Sequence, residues 1–513
     1  MTWYDGTDTT SAYPGRRTDR QLFARGNGRQ HATPYIPIKI GGLSNLFPIT
    51  ATLFARQQQL GLRAFDMAPT VAPNIDENRS YLVSNVSTYD LGGGVNVKNI
   101  IGYWNTHSFV WINRPSYNFS QINVSQDRHL HQFSEELQLT GTSFGGALKW
   151  IAGGYLANYN STVFQLSRLF NASNAVSSTI SSNDRYESRA LFAQVTLDFG
   201  NLGLAGLKLT GGIRQSWDKR FGSQLPLFPN EIATSNSPLS WTVGLDYQAT
   251  RNILIYGVTR RSYKAGGFNL VSGNLPASLF VFAPESLQDV ELGIKSQFNA
   301  AGMPIRANLA LYRGNYKDIQ TTVTYRCGGT TTGSLITNAA KGTPKGLEFE
   351  IEARPFRNFR LSGFYNLTLG RYGEFSLPDV SSAGCILSAT GNLTGQNFGN
   401  IAKHTAGLTA EYTVPLGGRN EELEFTGNLY TRSHRLGNDL LGVYTPMPGY
   451  TLLNFRIDYN NIGGSNFSAG VCVRNLTNKL YEITRQDSIN SGGSVIVQYG
   501  DPRTFGVTAR VKF

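Results

Sequence analysis

The sequence predicts an all-β fold, a transmembrane antiparallel β-barrel, on three observations. From about residue 80 onward, segments of about ten to fourteen residues alternate apolar and polar side chains. The connections between these segments alternate between short and long. Composition agrees, because 56 glycines, 29 phenylalanines and 25 tyrosines accompany a charged fraction of only 16%. The sequence contains no apolar run near the roughly 20 residues that a membrane-spanning helix needs.

The alternation is clearest in one segment, whose two sets of side chains are Leu347, Phe349, Ile351 and Ala353 against Glu348, Glu350, Glu352 and Arg354. Side chains of a strand point to opposite faces with a period of two residues. One face of this strand is therefore apolar and the other is charged. The charged row is predicted to line a polar barrel interior rather than to form acid–base pairs.

About seventeen strands follow from this pattern. Their approximate bounds are 80–91, 94–107, 128–140, 146–159, 186–199, 207–219, 239–249, 253–263, 286–298, 304–317, 343–354, 359–371, 402–414, 421–434, 450–460, 465–475 and 503–513. Tilted strands of about ten residues are long enough to span a bilayer, whereas strands of soluble proteins average about five or six residues.

The connections support the same fold class. The predicted short connections are 91–93, 141–145, 200–206, 249–252, 299–303, 355–358, 415–420 and 461–464. Between them we expect loops of about 15 to 30 residues, rich in Ser, Asn, Thr and Gly. Outer-membrane barrels sort their connections in this way, with short periplasmic turns and long extracellular loops, whereas soluble sandwiches do not.

The net charge of +12 is spread along the chain, so no nucleic-acid partner is predicted. The opening Met1–Gly6 has neither the charged nor the apolar region of a signal peptide, so either the true start lies upstream or the barrel interpretation is wrong. We expect no enzyme site and no cofactor. His129 and His131 share one strand face, but a third metal ligand is not evident, and they are interpreted as interfacial or rim histidines.

The three cysteines do not have the spacing of a metal site, and they are too few for a disulfide-rich scaffold. Cys327 and Cys385 fall in neighbouring long loops on the same predicted side. In an oxidising compartment they are expected to be able to pair and to join the two loops, and the alternative is two unpaired thiols. Cys472 lies on a strand without an evident partner.

Several ordered segments resemble the TonB-dependent outer-membrane receptors. They are Tyr256–Asn269, Pro284–Lys295, Asn338–Glu350, Val473–Tyr481 and Pro502–Gly506. The resemblance covers about residues 80–513. It implies a receptor in the outer membrane of a Gram-negative bacterium that takes up a scarce ligand, most often a ferric siderophore, with energy from the TonB protein.

The resemblance also implies an architecture. The family's barrel has about 22 strands around a plug domain. The printed chain is therefore expected to be an incomplete barrel without the plug and the TonB-binding segment. Residues 1–79 are predicted to be an extracellular loop region with a remnant of an upstream strand, and residues 80–513 the receptor-like barrel.

Further partners follow from the resemblance. Outer-membrane lipid and lipopolysaccharide are expected around the barrel, and the terminal aromatic Phe513 resembles the signal read by the barrel assembly machinery. Arg260, Arg261, Tyr263 and Lys264 are candidate contacts for an anionic iron chelate at the extracellular rim. The alternatives are a passive outer-membrane porin and a soluble secreted β-protein that binds glycans.

Overall fold

The computed structural model describes residues 8–11, 30–34, 75–114, 122–169, 178–225, 228–269, 277–327, 331–381, 384–387, 393–418, 420–437, 446–488 and 494–512. The strands are β1 Asp8–Ser11, β2 Gln30–Pro34, β3 Ile75–Gly92, β4 Val95–Arg114, β5 Ile122–Ser143, β6 Leu148–Leu169, β7 Ser178–Asp198, β8 Leu207–Leu225, β9 Phe228–Asn236, β10 Leu239–Thr250, β11 Ile253–Lys264, β12 Gly267–Phe268, β13 Val281–Phe282, β14 Glu285–Ala300, β15 Met303–Cys327, β16 Thr331–Ala353, β17 Phe359–Phe375, β18 Cys385–Leu387, β19 His404–Pro415, β20 Glu422–Arg432, β21 Arg435–Leu436, β22 Pro446–Met447, β23 Tyr450–Asn460, β24 Phe467–Arg474, β25 Glu482–Ser488, β26 Ser494–Tyr499 and β27 Thr504–Val511. Short 3-10 turns occupy Phe144–Gly146, Phe199–Leu202, Ala277–Leu279 and Ile462–Gly464. Within these ranges there is no helix with the length and apolarity needed to cross a membrane.

Within the described ranges, seventeen strands form one continuous antiparallel ladder, as the sequence predicts. Each strand pairs with the next in the order β3-β4-β5-β6-β7-β8-β10-β11-β14-β15-β16-β17-β19-β20-β23-β24-β27. Neighbours in the ladder are therefore neighbours in sequence, apart from short strands in the connections. This up-and-down order is typical of an antiparallel barrel.

The eight predicted short connections are confirmed, and they all join strands at one end of the ladder. We call this the short-turn end, and the opposite end the long-loop end. At the turn between β3 and β4, Gly92 has a φ of 80°, which is a left-handed conformation that glycine adopts without a side-chain clash. Tight turns of this kind keep the register of each hairpin fixed.

The predicted lengths of the long loops were wrong, because several strands continue far beyond their predicted ends. The largest difference is the hairpin of β15 and β16, whose strands continue to Cys327 and from Thr331 across most of the predicted loop 318–342. These extensions are rich in Thr, and Thr321 interrupts the apolar row of Ile319, Val323 and Tyr325 on β15. The stretch therefore resembles a polar loop in sequence, although the ladder still satisfies its backbone hydrogen bonds.

The two faces of the ladder differ as predicted. On β15 and β16, Leu309 lies opposite Phe349 on the apolar face, whereas Asn308 lies opposite Glu350 on the polar face and donates to it over 3.1 Å. Large apolar side chains of the first face are more than half exposed, among them Leu191, Ile213, Val290 and Leu292. In two stacked sheets this face would be buried, so a sandwich is contradicted.

The buried clusters of the described chain lie at the long-loop end, not between sheets. One cluster consists of Val323, Tyr325, Leu335, Val380 and Cys385. A second consists of Ile319, Ala339, Ala340, Phe375 and Leu393. The extended β15–β16 hairpin contributes to both clusters. This hairpin is therefore the scaffold on which the connections of the long-loop end pack.

Candidate functional site

The connection between β11 and β14 folds back onto neighbouring strands instead of extending away from them. Its short strands β12 and β13 pair with each other, and Phe268 is buried. A side chain at Gly222 of β8 would overlap the Phe268 ring, so glycine is required there. The Arg220 guanidinium lies 5.1 Å from the same ring centroid. The connection is thus fixed across β8 by an aromatic ring.

Asn269 joins this connection to the β15–β16 hairpin. Its side chain is only 5% exposed. The amide donates to the carbonyl oxygens of Leu279 and Ile336 over 2.7 and 2.8 Å, and its oxygen accepts from the Ile336 N–H over 2.7 Å. A nearby carboxylate, Glu285, accepts from the Tyr316 hydroxyl and the Gln320 N–H. These bonds hold the long-loop end in one arrangement.

Replacement of Asn269 by leucine is expected to release the β11–β14 connection. The change leaves three half-buried backbone groups without their partner, and an unsatisfied group costs up to about 1–3 kcal/mol when it is fully buried. Proteolytic cleavage of this connection should become about 10- to 100-fold faster. Asn299→Leu, at an exposed position of the short-turn end, is the control, and equal cleavage of both variants would contradict the role of Asn269.

The four predicted rim residues do not form one cluster. Arg260 makes ion pairs with Asp289 and Glu291 at 2.9 and 2.6 Å. Tyr263 donates to the buried Asp218 carboxylate over 2.7 Å, and the Lys264 amine lies 3.6 Å from Glu285.

The fourth rim residue, Arg261, lies on the other side of β11. It is exposed and shares the sheet face of Trp241, its register partner, which is opposite to the face of Arg260. Arg260 therefore already has two carboxylate partners, whereas Arg261 and Lys264 keep exposed positive charge.

A second group of cations lies at the long-loop end, between β20, β23 and the turn after β24. It surrounds a pocket of about 450 Å³, here called the basic pocket, which is lined by Thr431, Arg432, Gly449, Tyr450, Thr451, Leu453, Thr477 and Lys479. The lining contains two cations and no carboxylate. The Arg432 guanidinium stacks 4.4 Å from the Tyr450 ring centroid, because these residues are opposite each other on β20 and β23.

Arg432 and its neighbour Arg435 have carbonyl partners. Arg432, only 6% exposed, donates to Ser433 O and Glu482 O over 3.3 and 3.1 Å. Arg435 donates to Asn400 O over 3.2 Å and to Ile483 O. The Glu482 carboxylate instead accepts from Arg485 over 2.9 Å.

The environment of Arg435 is electrostatically unfavourable for its charge. Burial, and then the positive charge of Arg432, lower the pKa of Arg435 below its ordinary value. Its Nε is also buried without a hydrogen-bond partner. Among the described residues, neither arginine forms an ion pair with a carboxylate.

The sequence analysis missed this site. Its one signal is the run Thr431–Arg435, which places two arginines at the end of a predicted strand. The run does not show that the connections after β17, β20 and β24 meet there. That meeting depends on tertiary folding.

The match to a known family decides the class of the protein. The family model described as TonB dependent receptor-like, beta-barrel matches residues 3–476. The chain belongs to this family. The search of curated proteins gives no match.

Solved receptors of similar fold cover most of this TonB-dependent receptor chain. The ferric yersiniabactin uptake receptor FyuA from Yersinia pestis is 16% identical with a TM-score of 0.69, covering 86% of this chain and 62% of its own. The siderophore receptor PiuA from Acinetobacter baumannii is 15% identical with a TM-score of 0.68, covering 85% and 64%. The ferric-catecholate import receptor Fiu from E. coli K12 is 14% identical with a TM-score of 0.64, covering 87% and 66%. The chain thus spans less than two thirds of the length of these receptors.

The cysteines of this TonB-dependent receptor chain are placed as the disulfide hypothesis requires. Cys385 is disulfide-bonded, and its backbone lies directly opposite Cys327 in the register of β15 and β18. Cys472 is a free thiol. The pairing of Cys327 with Cys385 remains a prediction that this register supports. The predicted assembly signal, Phe513, lies outside the described residues.

His129, which the sequence analysis considered together with His131, lies in a group with other residues. His131 lies opposite Asn105, whereas His129 lies opposite His107 on β4. Asp127 lies two residues before His129 on the same strand. Ligand atoms of His107, Asp127 and His129 all lie within 4.8 Å of one another. His107 was not evident in the sequence because only the register of β4 against β5 brings it to His129, whereas Asp127 lies two residues away on the same strand.

Proposed function

We propose that this chain acts in the outer membrane as the barrel of a TonB-dependent receptor that takes up an anionic iron chelate of the ferric siderophore type. In this proposal the long-loop end faces the outside and the short-turn end faces the periplasm. Its support is the family membership, together with similar folds in receptors named for ferric yersiniabactin, siderophores and ferric catecholates.

The basic pocket is the observation that carries the proposed ligand class. Arginine is the residue best suited to carboxylate or catecholate oxygens, because its guanidinium donates several hydrogen bonds in a fixed plane. Arg432 and Arg435 bind carbonyl oxygens, which accept hydrogen bonds without neutralising the charge. A bound anion would add that neutralisation, and Tyr450 would offer an aromatic surface beside it.

The other partners stay part of the proposal. Lipid and lipopolysaccharide would contact the apolar face, TonB would couple uptake to energy, and the barrel assembly machinery would read Phe513. Arg260, Arg261, Tyr263 and Lys264 remain proposed rim contacts. Among them, Lys264 is the better candidate, because its side chain is 67% exposed, whereas Arg260 is already paired with two carboxylates and Arg261 lies on the apolar face.

The double change Arg432→Gln and Arg435→Gln is expected to weaken binding of ferric citrate and of a ferric catecholate by about 10- to 100-fold. The reason is the loss of charge-assisted hydrogen bonds, each of which contributes about 1.5–3 kcal/mol. Binding is measured by quenching of tryptophan fluorescence with the chain in detergent micelles. A neutral ferric trihydroxamate should be affected much less.

The matched control removes the same charge from the short-turn end. Arg251→Gln combined with Arg357→Gln changes two exposed arginines in the turns after β10 and β16. Equal weakening by both double variants would contradict a specific role for the basic pocket. Passive flux of uncharged sugars into liposomes containing the chain would support the porin alternative instead.

A further inference from the structure

His107, Asp127 and His129 form a compact group on the outer face of β4 and β5. His107 and His129 are direct register partners, and their rings are stacked with centroids 4.1 Å apart. The distance from Asp127 Oδ1 is 2.8 Å to His107 Nε2 and 3.4 Å to His129 Nε2. All three side chains keep 40% or more of their surface exposed. The group is therefore accessible to a solute.

The group lies near the long-loop edge of the outer face, level with the aromatic side chains of Phe109 and Phe164. Along β5 the outer side chains run from Leu139 and Leu137, near the short-turn end, to His129 and Asp127 near the long-loop end. Twelve residues from Gly141 to His129 rise about 40 Å along the strand, or roughly 30 Å across a membrane at the usual tilt. The apolar band of such barrels is about 25 Å tall. The group is thus placed at the interface between the hydrocarbon and water, where aromatic side chains are typical of such barrels.

We propose that His107, Asp127 and His129 bind a borderline divalent cation, with Zn²⁺ as the best fit. Two imidazole nitrogens and one carboxylate oxygen are ligands that Zn²⁺ prefers, and they leave a fourth position for water. Zn²⁺ bonds of about 2.0–2.1 Å place tetrahedral ligand atoms about 3.3 Å apart. The two measured Nε2–Oδ1 separations, 2.8 and 3.4 Å, are close to that spacing.

Both imidazole rings must turn to load the site. The two rings are parallel within 5°, and a shared ion must lie in both ring planes, so each ring has to tilt about its broad χ2 torsion. Nearby charges on β3 offset one another, because Arg79 lies opposite His107 and Glu77 lies two residues away. Thr162 and Phe164, the β6 partners of His129 and Asp127, carry no charge. The site is independent of chelate uptake.

The test is titration of the purified chain in detergent with Co²⁺, followed by its visible absorption and by competition with Zn²⁺. All proteins carry Cys472→Ala, so that the free thiol does not bind the metal. We expect one saturable site. His107→Ala and Asp127→Asn should each weaken it by about tenfold or more, because each removes one ligand.

The control is His131→Ala, which removes a histidine of the same face that lies opposite Asn105. It should leave the metal affinity unchanged within about twofold, and circular dichroism should show that every variant keeps its strand content. Absence of a saturable site, or equal weakening by His131→Ala, would overturn the proposal. Because no iron chelate is present, failure here is distinct from failure of the proposed uptake function.

Discussion

Replacement of Leu292 by arginine is expected to destabilise the folded chain in lipid vesicles by about 2–4 kcal/mol, the cost of a cation facing lipid near the bilayer midplane. Leu292 lies in the middle of β14 on the apolar face, between Gly257 of β11 and Leu311 of β15. Its side chain is 60% exposed. The measurement is reversible unfolding by guanidinium chloride in vesicles.

Asn366→Arg is the control for this prediction. Asn366 lies opposite Glu348 on the polar face of β17, so a new arginine there meets carboxylates instead of lipid. We expect this variant to unfold within about 1 kcal/mol of the unchanged chain, because an exposed ion pair contributes little. Similar losses of stability in both variants would mean that the two faces do not have different surroundings.

Removal of the disulfide through Cys385→Ser is expected to have the second large effect, confined to the long-loop end. A bridge from Cys327 would close a loop of about 60 residues, and the chain-entropy account assigns such a bridge about 4 kcal/mol. Cys385 is 2% exposed within the cluster of Val323, Tyr325 and Leu335, so its loss also disturbs packing. Limited proteolysis should cut the connection after β17 much faster in the variant.

Two observations check the pairing itself. Mass spectrometry of non-reduced peptides should find the segments that contain Cys327 and Cys385 linked. Cys472→Ser should leave the proteolysis pattern unchanged, because this thiol is free. Recovery of Cys327 and Cys385 as separate thiols would contradict the predicted bridge.

The barrel-type ladder could be predicted because its signal is local. The alternation from Lys345 to Arg354 fixes which side chains share a face, and tight turns such as that at Gly92 fix which strands are neighbours. The extension of β15 to Cys327 was not predicted, because Thr321 interrupts the apolar row of Ile319, Val323 and Tyr325 and the Thr-rich stretch resembles a loop. Backbone pairing, which sequence periodicity does not show, decides the length of such strands.

The candidate sites depend on contacts that are distant in sequence. Arg432 and Glu482 meet because two connections converge at the long-loop end. His107 and His129 meet because of the register of β4 against β5. Sequence spacing alone brought His129 together with His131, which is on the same face but lies opposite a different residue. The sequence analysis therefore identified His129 but considered it together with His131 instead of His107.

The central claim is that the apolar face of the ladder contacts lipid while the polar face surrounds the interior. It is tested most directly by placing single nitroxide labels along β16 at positions 347–352, in a Cys472→Ala background in lipid vesicles. Collision rates with oxygen, which concentrates in lipid, are compared with those of a water-soluble nickel complex. We predict high oxygen access at Leu347, Phe349 and Ile351, and high nickel access at Glu348, Glu350 and Glu352. Equal access of the nickel complex to all six positions would contradict the account.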